Sequence, residues 1–314
     1  MDTDQAAPYY FEVADGPERA QAFWIQTQDQ KRLRVGFWPA DAPRGTIFIS
    51  PGRSEYIEKY SRFAKFLIER QYCVTSIDWR GQGLSDRLAP DPMIGHVHHF
   101  ADYQNDLEVW QMAAQEYGCP KPWFHLAHSM GGCIILRSLH RNSSMTATAF
   151  SGPMWDIKMH RVVRKCAKPI MHMASFLGLG KRLAPTTSRE CYNATGTFEG
   201  NTLTPDREMW LYMQKQVQDH QDLQLGGPSV HWLAAALSEM DALMRLPAPD
   251  MPTLCVMGGN ERIVGKKAIR KRMKNWKNSE LHIIDGAEHE VLMLDRGVQN
   301  MLADQITSFF EKYA

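Results

Sequence analysis

Short apolar blocks recur along the first half of the chain, each closed by Gly, Pro or a charged turn, with stretches of helical spacing between them. Residues 22–28 and 31–38 read as two strands around a polar turn at Asp29-Gln30. Residues 46–50 form a strand stopped by Pro51-Gly52, and 72–78 form another that ends at Arg80-Gly81-Gln82-Gly83. Strands follow at 123–127 and 146–150. Apolar positions three and four apart predict helices over 60–70, 100–117 and 131–140. Strands alternating with helices predict an α/β fold with a largely parallel sheet.

The rhythm breaks between about 153 and 248, where no strand is predicted and helical pieces are rich in Met and Trp. It resumes with a strand at 253–257, a helix at 267–276, a strand at 281–284 and a helix near 298–313. Residues 1–152 and 249–314 therefore read as one core, and 153–248 as an inserted helical cap. Ligands in such sheets sit beyond the carboxyl ends of the strands, where a cap of this kind would close over them.

Composition narrows the class. The 314 residues are 44% hydrophobic and 23% charged, which excludes wholesale disorder. A net charge of +1 lacks the basic excess that phosphate contacts require, so no nucleic-acid partner is expected. No apolar run approaches the roughly 18 residues of a membrane span. The acidic, polar start Met1-Asp2-Thr3-Asp4-Gln5 lacks the basic and apolar regions of a signal peptide, so a cytoplasmic location is expected. Six scattered cysteines read as reduced thiols.

The strongest chemical signal is Ala127-His128-Ser129-Met130-Gly131-Gly132, where a strand runs directly into a helix. A sharp turn there presents a serine hydroxyl above the sheet, and small flanking residues are needed because strand and helix backbones nearly touch. Ala127 stands where this motif usually has Gly. Hydrolases of this architecture order their residues as Ser, acid, His. Strand 253–257 leads to Glu261 and strand 281–284 leads to His289, so Ser129, Glu261 and His289 are the candidate catalytic residues. Asp285, four residues before His289, is the rival acid and reads better as a turn residue. His289 would take the Ser129 proton as general base, and Glu261 would fix the imidazole tautomer. The N–H groups of Met130 and Arg53 are the candidate oxyanion donors.

These pieces make the chain resemble the serine hydrolases of the α/β-hydrolase superfamily that include bacterial lysophospholipases and monoacylglycerol lipases. The resemblance spans essentially the whole chain. It rests on Pro51-Gly52-Arg53-Ser54-Glu55 with Glu58-Lys59-Tyr60, on Asp78-Trp79-Arg80-Gly81-Gln82-Gly83-Leu84-Ser85, and on Gly95-His96-Val97 with Phe100 and Asp102-Tyr103. Ala127 to Gly132, Asn260-Glu261-Arg262-Ile263-Val264 and His289-Glu290-Val291 complete it. The Gly-Arg-x-Glu-x-x-x-Lys-Tyr form resembles the lysophospholipase branch, and Pro51 stands where monoacylglycerol lipases more often have His. The resemblance implies an α/β-hydrolase fold with a helical cap and no cofactor. It further implies hydrolysis of single-chain lipid esters, lysophospholipids first. Monoacylglycerol lipase or broad carboxylesterase activity is the near alternative, and a non-catalytic ligand-binding relative the remote one. Ser129 argues against epoxide hydrolases and dehalogenases, which use Asp as nucleophile.

Other features read more plainly. Asp78 and Arg80 are expected in structural ion pairs or hydrogen bonds. His96, His98 and His99 lack a Cys or carboxylate at ligand spacing, so no metal is expected there. Nine Met between 154 and 251, eight of them in the insertion, would suit contact with varied acyl chains. Lys158, Arg161, Lys165 and Lys168 share one helical face beside apolar residues, which would allow transient contact with a phospholipid surface and a peripheral location. Lys266, Lys267, Arg270, Lys271, Arg272, Lys274 and Lys277 read as a solvated helix face.

Overall fold

A computed structural model describes residues 6–141, 144–159, 169–171 and 173–314. Among them eight strands form one sheet. They are β1 (Gln21–Gln26), β2 (Arg32–Trp38), β3 (Thr46–Ser50), β4 (Cys73–Asp78), β5 (Trp123–His128), β6 (Ala147–Ser151), β7 (Thr253–Gly258) and β8 (Ser279–Ile284). The order is β1-β2-β4-β3-β5-β6-β7-β8. β2 pairs antiparallel with β1 and with β4, and every other pairing is parallel. The predicted alternation of strands and helices is therefore observed, with strand ends shifted by a residue or two.

The central strands are apolar on both faces because helices cover both. Ile47 and Ile49 enter one core and Phe48 the other. Leu254 and Val256 likewise oppose Cys255 and Met257. One face is covered by helices α1 (Ser61–Glu69) and α7 (Arg296–Glu311), through Phe63, Leu67, Ile306 and Phe310. The other takes α2 (Asp102–Glu116), α3 (Ser129–Ser138), α5 (Val230–Arg245) and α6 (Lys266–Lys274), through Trp110, Ile134, Leu237 and Ile269.

Between β6 and β7 the described residues form helices, including α4 (Arg207–Asp219) and α5, and no strand. Met154, Met171, Met209, Met213 and Met240 are buried in the core clusters, so packing accounts for these five. Met173 is 60% exposed. Of the predicted basic face, Lys158 is exposed, and Arg161, Lys165 and Lys168 lie outside the described residues. The second basic run departs from expectation at Arg272. That side chain is buried and donates to Leu243 O and Pro247 O at the end of α5, so it closes a helix terminus instead of facing solvent.

Asp78 and Arg80 act separately. Asp78 accepts from Arg34 Nε at 2.8 Å and from the Ile57 and Leu84 N–H groups. Arg34, fully buried on β2, also holds Glu58 through 2.7 and 2.8 Å hydrogen bonds. Arg80 pairs with Asp106 at 2.7 Å and Asp29 at 2.9 Å.

Candidate active site

Ser129 stands where β5 turns into α3, with φ at +47°. A serine in this left-handed region is strained, and the surroundings hold it there. A Cβ on Gly131 would come within 2.1 Å of Ser50 O, and one on Gly132 within 2.6 Å of the Pro153 Cβ. No side chain fits at either position. Ala127 is fully buried and satisfies the flanking requirement despite its extra methyl. The helix starts at Ser129, two residues before the predicted start, because the elbow makes the serine its first residue.

His289 Nε2 lies 2.9 Å from Ser129 Oγ, and His289 Nδ1 lies 2.6 Å from Glu261 Oε2. The other Glu261 oxygen accepts the Ile263 and Val264 N–H groups at 2.6 and 3.0 Å. Burial alone would raise the Glu261 carboxyl. The His289 hydrogen bond and charge, with those two N–H groups, outweigh it and hold Glu261 below the usual carboxylate range. Glu261 therefore stays anionic and faces Nδ1, which leaves Nε2 free to accept the serine proton. Asp285, the rival acid, is exposed at the turn after β8. The chain order read from sequence thus meets in space as Ser129–His289–Glu261.

The loop after β3 crosses the elbow. A Cβ on Gly52 would stand 3.0 Å from Ser129 Cβ. Gln82 Nε2 donates to Gly52 O and Glu55 O, and Trp79 Nε1 donates to Pro51 O, so the loop is fixed from β4. Gly52 thus abuts the serine with Arg53 next in the chain, and Met130 follows the serine directly.

A buried cluster that sequence reasoning missed joins these segments. Lys59 Nζ stands 2.6 Å from Glu55 and 2.8 Å from Glu290. His128 Nε2 lies 3.5 and 3.3 Å from the same two carboxylates. Its Nδ1 faces Ser151 O at 2.9 Å, and a carbonyl only accepts, so Nδ1 carries a proton. Burial pulls His128 toward its neutral form, but Glu290 and Glu55 more than offset that and raise its pKa. Two carboxylates thus hold an ammonium and favour the protonated form of the His128 ring. Burial would likewise raise Glu290, yet Lys59 and His128 hold it well below the carboxylate range. Tyr60 Oη and the Gly52 N–H both donate to Glu55.

Three of its four members lie near a site residue: His128 precedes Ser129, Glu290 follows His289, and Glu55 follows Arg53 by two. Charged residues beside the predicted site residues were the available signal. Glu55, His128 and Glu290 bring possible ligand atoms within 4.8 Å of one another, as a metal would need. Lys59 already occupies the place between the carboxylates, so the cluster's cation is an ammonium. The His96 ring instead hydrogen-bonds Ser229 Oγ through Nδ1 at 2.8 Å.

Comparison with known proteins places the chain beside hydrolases. A family model described as serine aminopeptidase, S33, matches residues 41–296. Lysophospholipase L2 of Escherichia coli is 31% identical over 85% of this chain and 80% of that protein. Among solved structures, a soluble variant of monoglyceride lipase from Saccharomyces cerevisiae superposes with a TM-score of 0.72 at 20% identity, covering 98% of this chain and 100% of that one. A thermostable carboxyl esterase from Bacillus coagulans gives 0.75 at 13% identity, over 94% and 98% of the two chains.

Proposed function

This chain belongs to the serine aminopeptidase S33 family of α/β-hydrolases, and from that premise we propose that it hydrolyses carboxylic esters of single-chain lipids through an acyl-enzyme on Ser129, with lysophospholipids as the first substrate class. The observation that carries the reading is the hydrogen-bonded chain Ser129–His289–Glu261 behind a positive-φ serine. His289 removes the Ser129 proton as Oγ attacks the ester carbonyl, and Glu261 stabilises the imidazolium. The Arg53 and Met130 N–H groups receive the oxyanion. His289 then protonates the leaving alcohol, and a water repeats the cycle on the acyl-enzyme to release the fatty acid. No step calls for a cofactor.

Residues 153–248 would form a cap on the core formed by 1–152 and 249–314, with its last helix, α5, packed onto the sheet face rather than over the site. The L2 relative supports the lysophospholipid preference. Exposed Ile170, Met173, Phe176 and Leu177, followed by exposed Lys181 and Arg182, support transient contact between this cap and a phospholipid surface. Among the described residues no helix is long and apolar enough to cross a membrane. The protein would act from the cytoplasm as a peripheral enzyme.

Fatty-acid release from a lysophospholipid and from a monoacylglycerol of equal chain length tests the reading. Ser129→Ala and His289→Ala should each lower kcat by about 10⁴- to 10⁶-fold with the fold intact, and Glu261→Gln by less. Full activity in Ser129→Ala would sink the assignment. Turnover confined to the monoacylglycerol would move the substrate class to neutral glycerides, and cleavage of an aminoacyl anilide alone would replace the esterase reading with a peptidase one.

A further inference from the structure

Arg53 has a second feature besides its backbone position. Its side chain runs from the loop beside Ser129 toward the inserted segment, where Nη1 donates to Gly226 O at 2.8 Å. The guanidinium carbon lies 5.7 Å from the centroid of the Trp232 ring. A guanidinium carries five N–H donors, and Gly226 O is the only acceptor that Arg53's meets among the described residues. No carboxylate of the described residues lies within 4.0 Å of it.

Among the described residues, the other arginines withdrawn from water each make two or more hydrogen bonds to protein acceptors, although the buried Arg272 Nε itself finds none. Arg34 is clamped by two carboxylates and Arg80 by three. Arg87 donates to four carbonyls, those of Gly83, Pro92, Asp222 and Gln224. Arg272 closes the end of α5. Arg53 alone among these is partly desolvated with neither an anion nor a set of carbonyls. Burial pushes its pKa down to about 10, which leaves it cationic near neutrality. A cation in that condition is stabilised by an anionic ligand, and the planar fork of arginine fits phosphate oxygens in pairs.

The reach is also suitable. Six bonds separate the carbonyl carbon of a lysophospholipid ester from its phosphorus, a span of roughly 6–7 Å at ordinary bond lengths. An extended arginine side chain covers about the same distance from its own Cα. A residue whose backbone N–H faces the ester oxygen can therefore touch the phosphate of the same molecule. A monoacylglycerol offers only a hydroxyl there.

Building on the lipid-ester reading above, we propose that Arg53 is a specificity-determining residue: its guanidinium takes the phosphodiester of a single-chain phospholipid whose ester lies over Ser129. The anchor thus comes from the core loop, independently of the basic residues on the cap.

The test is kcat/KM for palmitoyl lysophosphatidylcholine and for palmitoylglycerol, in wild type, Arg53→Gln and Arg53→Lys. The ratio of the two should fall about 10- to 100-fold in Arg53→Gln and recover in part in Arg53→Lys. A merely structural tie to Gly226 would lower both substrates together, and an unmoved ratio overturns the inference while leaving ester hydrolysis standing. Wild type that releases no fatty acid from either substrate above a Ser129→Ala blank takes down both readings. Should Arg53→Gln not fold, wild-type palmitoylglycerol hydrolysis supplies the second measurement. Hexadecylphosphocholine should inhibit it competitively and at least tenfold more strongly than hexadecylglycerol ether. Equal inhibition by the two, or inhibition by inorganic phosphate as strong as by the phosphocholine lipid, overturns the headgroup assignment.

Discussion

Two buried charge clusters sit in the same fold and have different surroundings. The Arg34–Glu58–Asp78 cluster ties β2 and β4 to the turn before α1, and all three side chains are fully buried. The Glu55–Lys59–His128–Glu290 cluster ties together the loop after β3, the serine elbow and the histidine loop. In both, each charge faces at least one of opposite sign, because an unpaired charge at these depths would be prohibitive. The first cluster touches neither Ser129 nor His289. The second is joined to both through the chain itself, since His128 and Glu290 are their neighbours in sequence. The His128 and His289 rings lie 4.8 Å apart. The same electrostatic device thus holds the sheet in one place and registers the reactive segments against each other in another.

Substitutions that unbalance each cluster separate these roles. Lys59→Met removes the only ammonium between Glu55 and Glu290 and should have the largest effect. Breaking a buried pair by deleting one partner costs about 3–5 kcal/mol. Here kcat should also fall at least tenfold with little change in KM, because the elbow and histidine loop lose their common tether. Urea unfolding and steady-state kinetics would show this, and unaltered kcat in folded Lys59→Met would make the cluster purely structural. Arg34→Met should cost about the same stability but leave the kcat of the folded fraction near wild type. A matching drop in kcat would erase the distinction between the two clusters.

A smaller effect follows from pH. Glu290 has its folded-state pKa depressed. Its contribution is therefore present above the ordinary carboxylate value and is lost as pH falls through the folded value. His128 is shifted upward, so its contribution is present below its ordinary value near 6.5 and is lost as pH rises through the raised one. The unfolding midpoint should decline on the acid side, and Glu290→Gln should flatten part of that decline. An acid limb unchanged in Glu290→Gln would assign it to other carboxylates. The smallest effect belongs to a surface pair. Arg189→Ala breaks the exposed contact with Asp91 at 2.6 Å, and thermal unfolding should show the midpoint nearly unmoved.

Much of the fold was legible because its signals are local. Apolar runs such as 46–50 and 253–257 are buried on both faces of a parallel sheet, so composition alone marks them as strands. Ser129, Glu261 and His289 were legible for a related reason: each follows a strand, and chain order supplies the acid and the base. The competition between Glu261 and Asp285 needed coordinates, since both follow a strand and only one reaches His289 Nδ1. The role of Arg272 was hidden by its place in a run of cations. Spacing does not show that the end of α5 lies over that one residue.

The sequence by itself determined the succession of strands and helices, the strand-to-helix corner at Ser129 and the order of the three site residues. Tertiary structure decided what surrounds them. β3 and β5 are neighbours although β4 lies between them in sequence, so the loop after β3 is laid across the corner after β5. That adjacency brings Glu55 and Lys59 to His128 and Glu290. It also sets Gly52 against Ser129, while the side chain of the next residue, Arg53, reaches Gly226. Partners separated by 70 to 230 positions leave no periodic trace, because their pairing depends on how the sheet is wound.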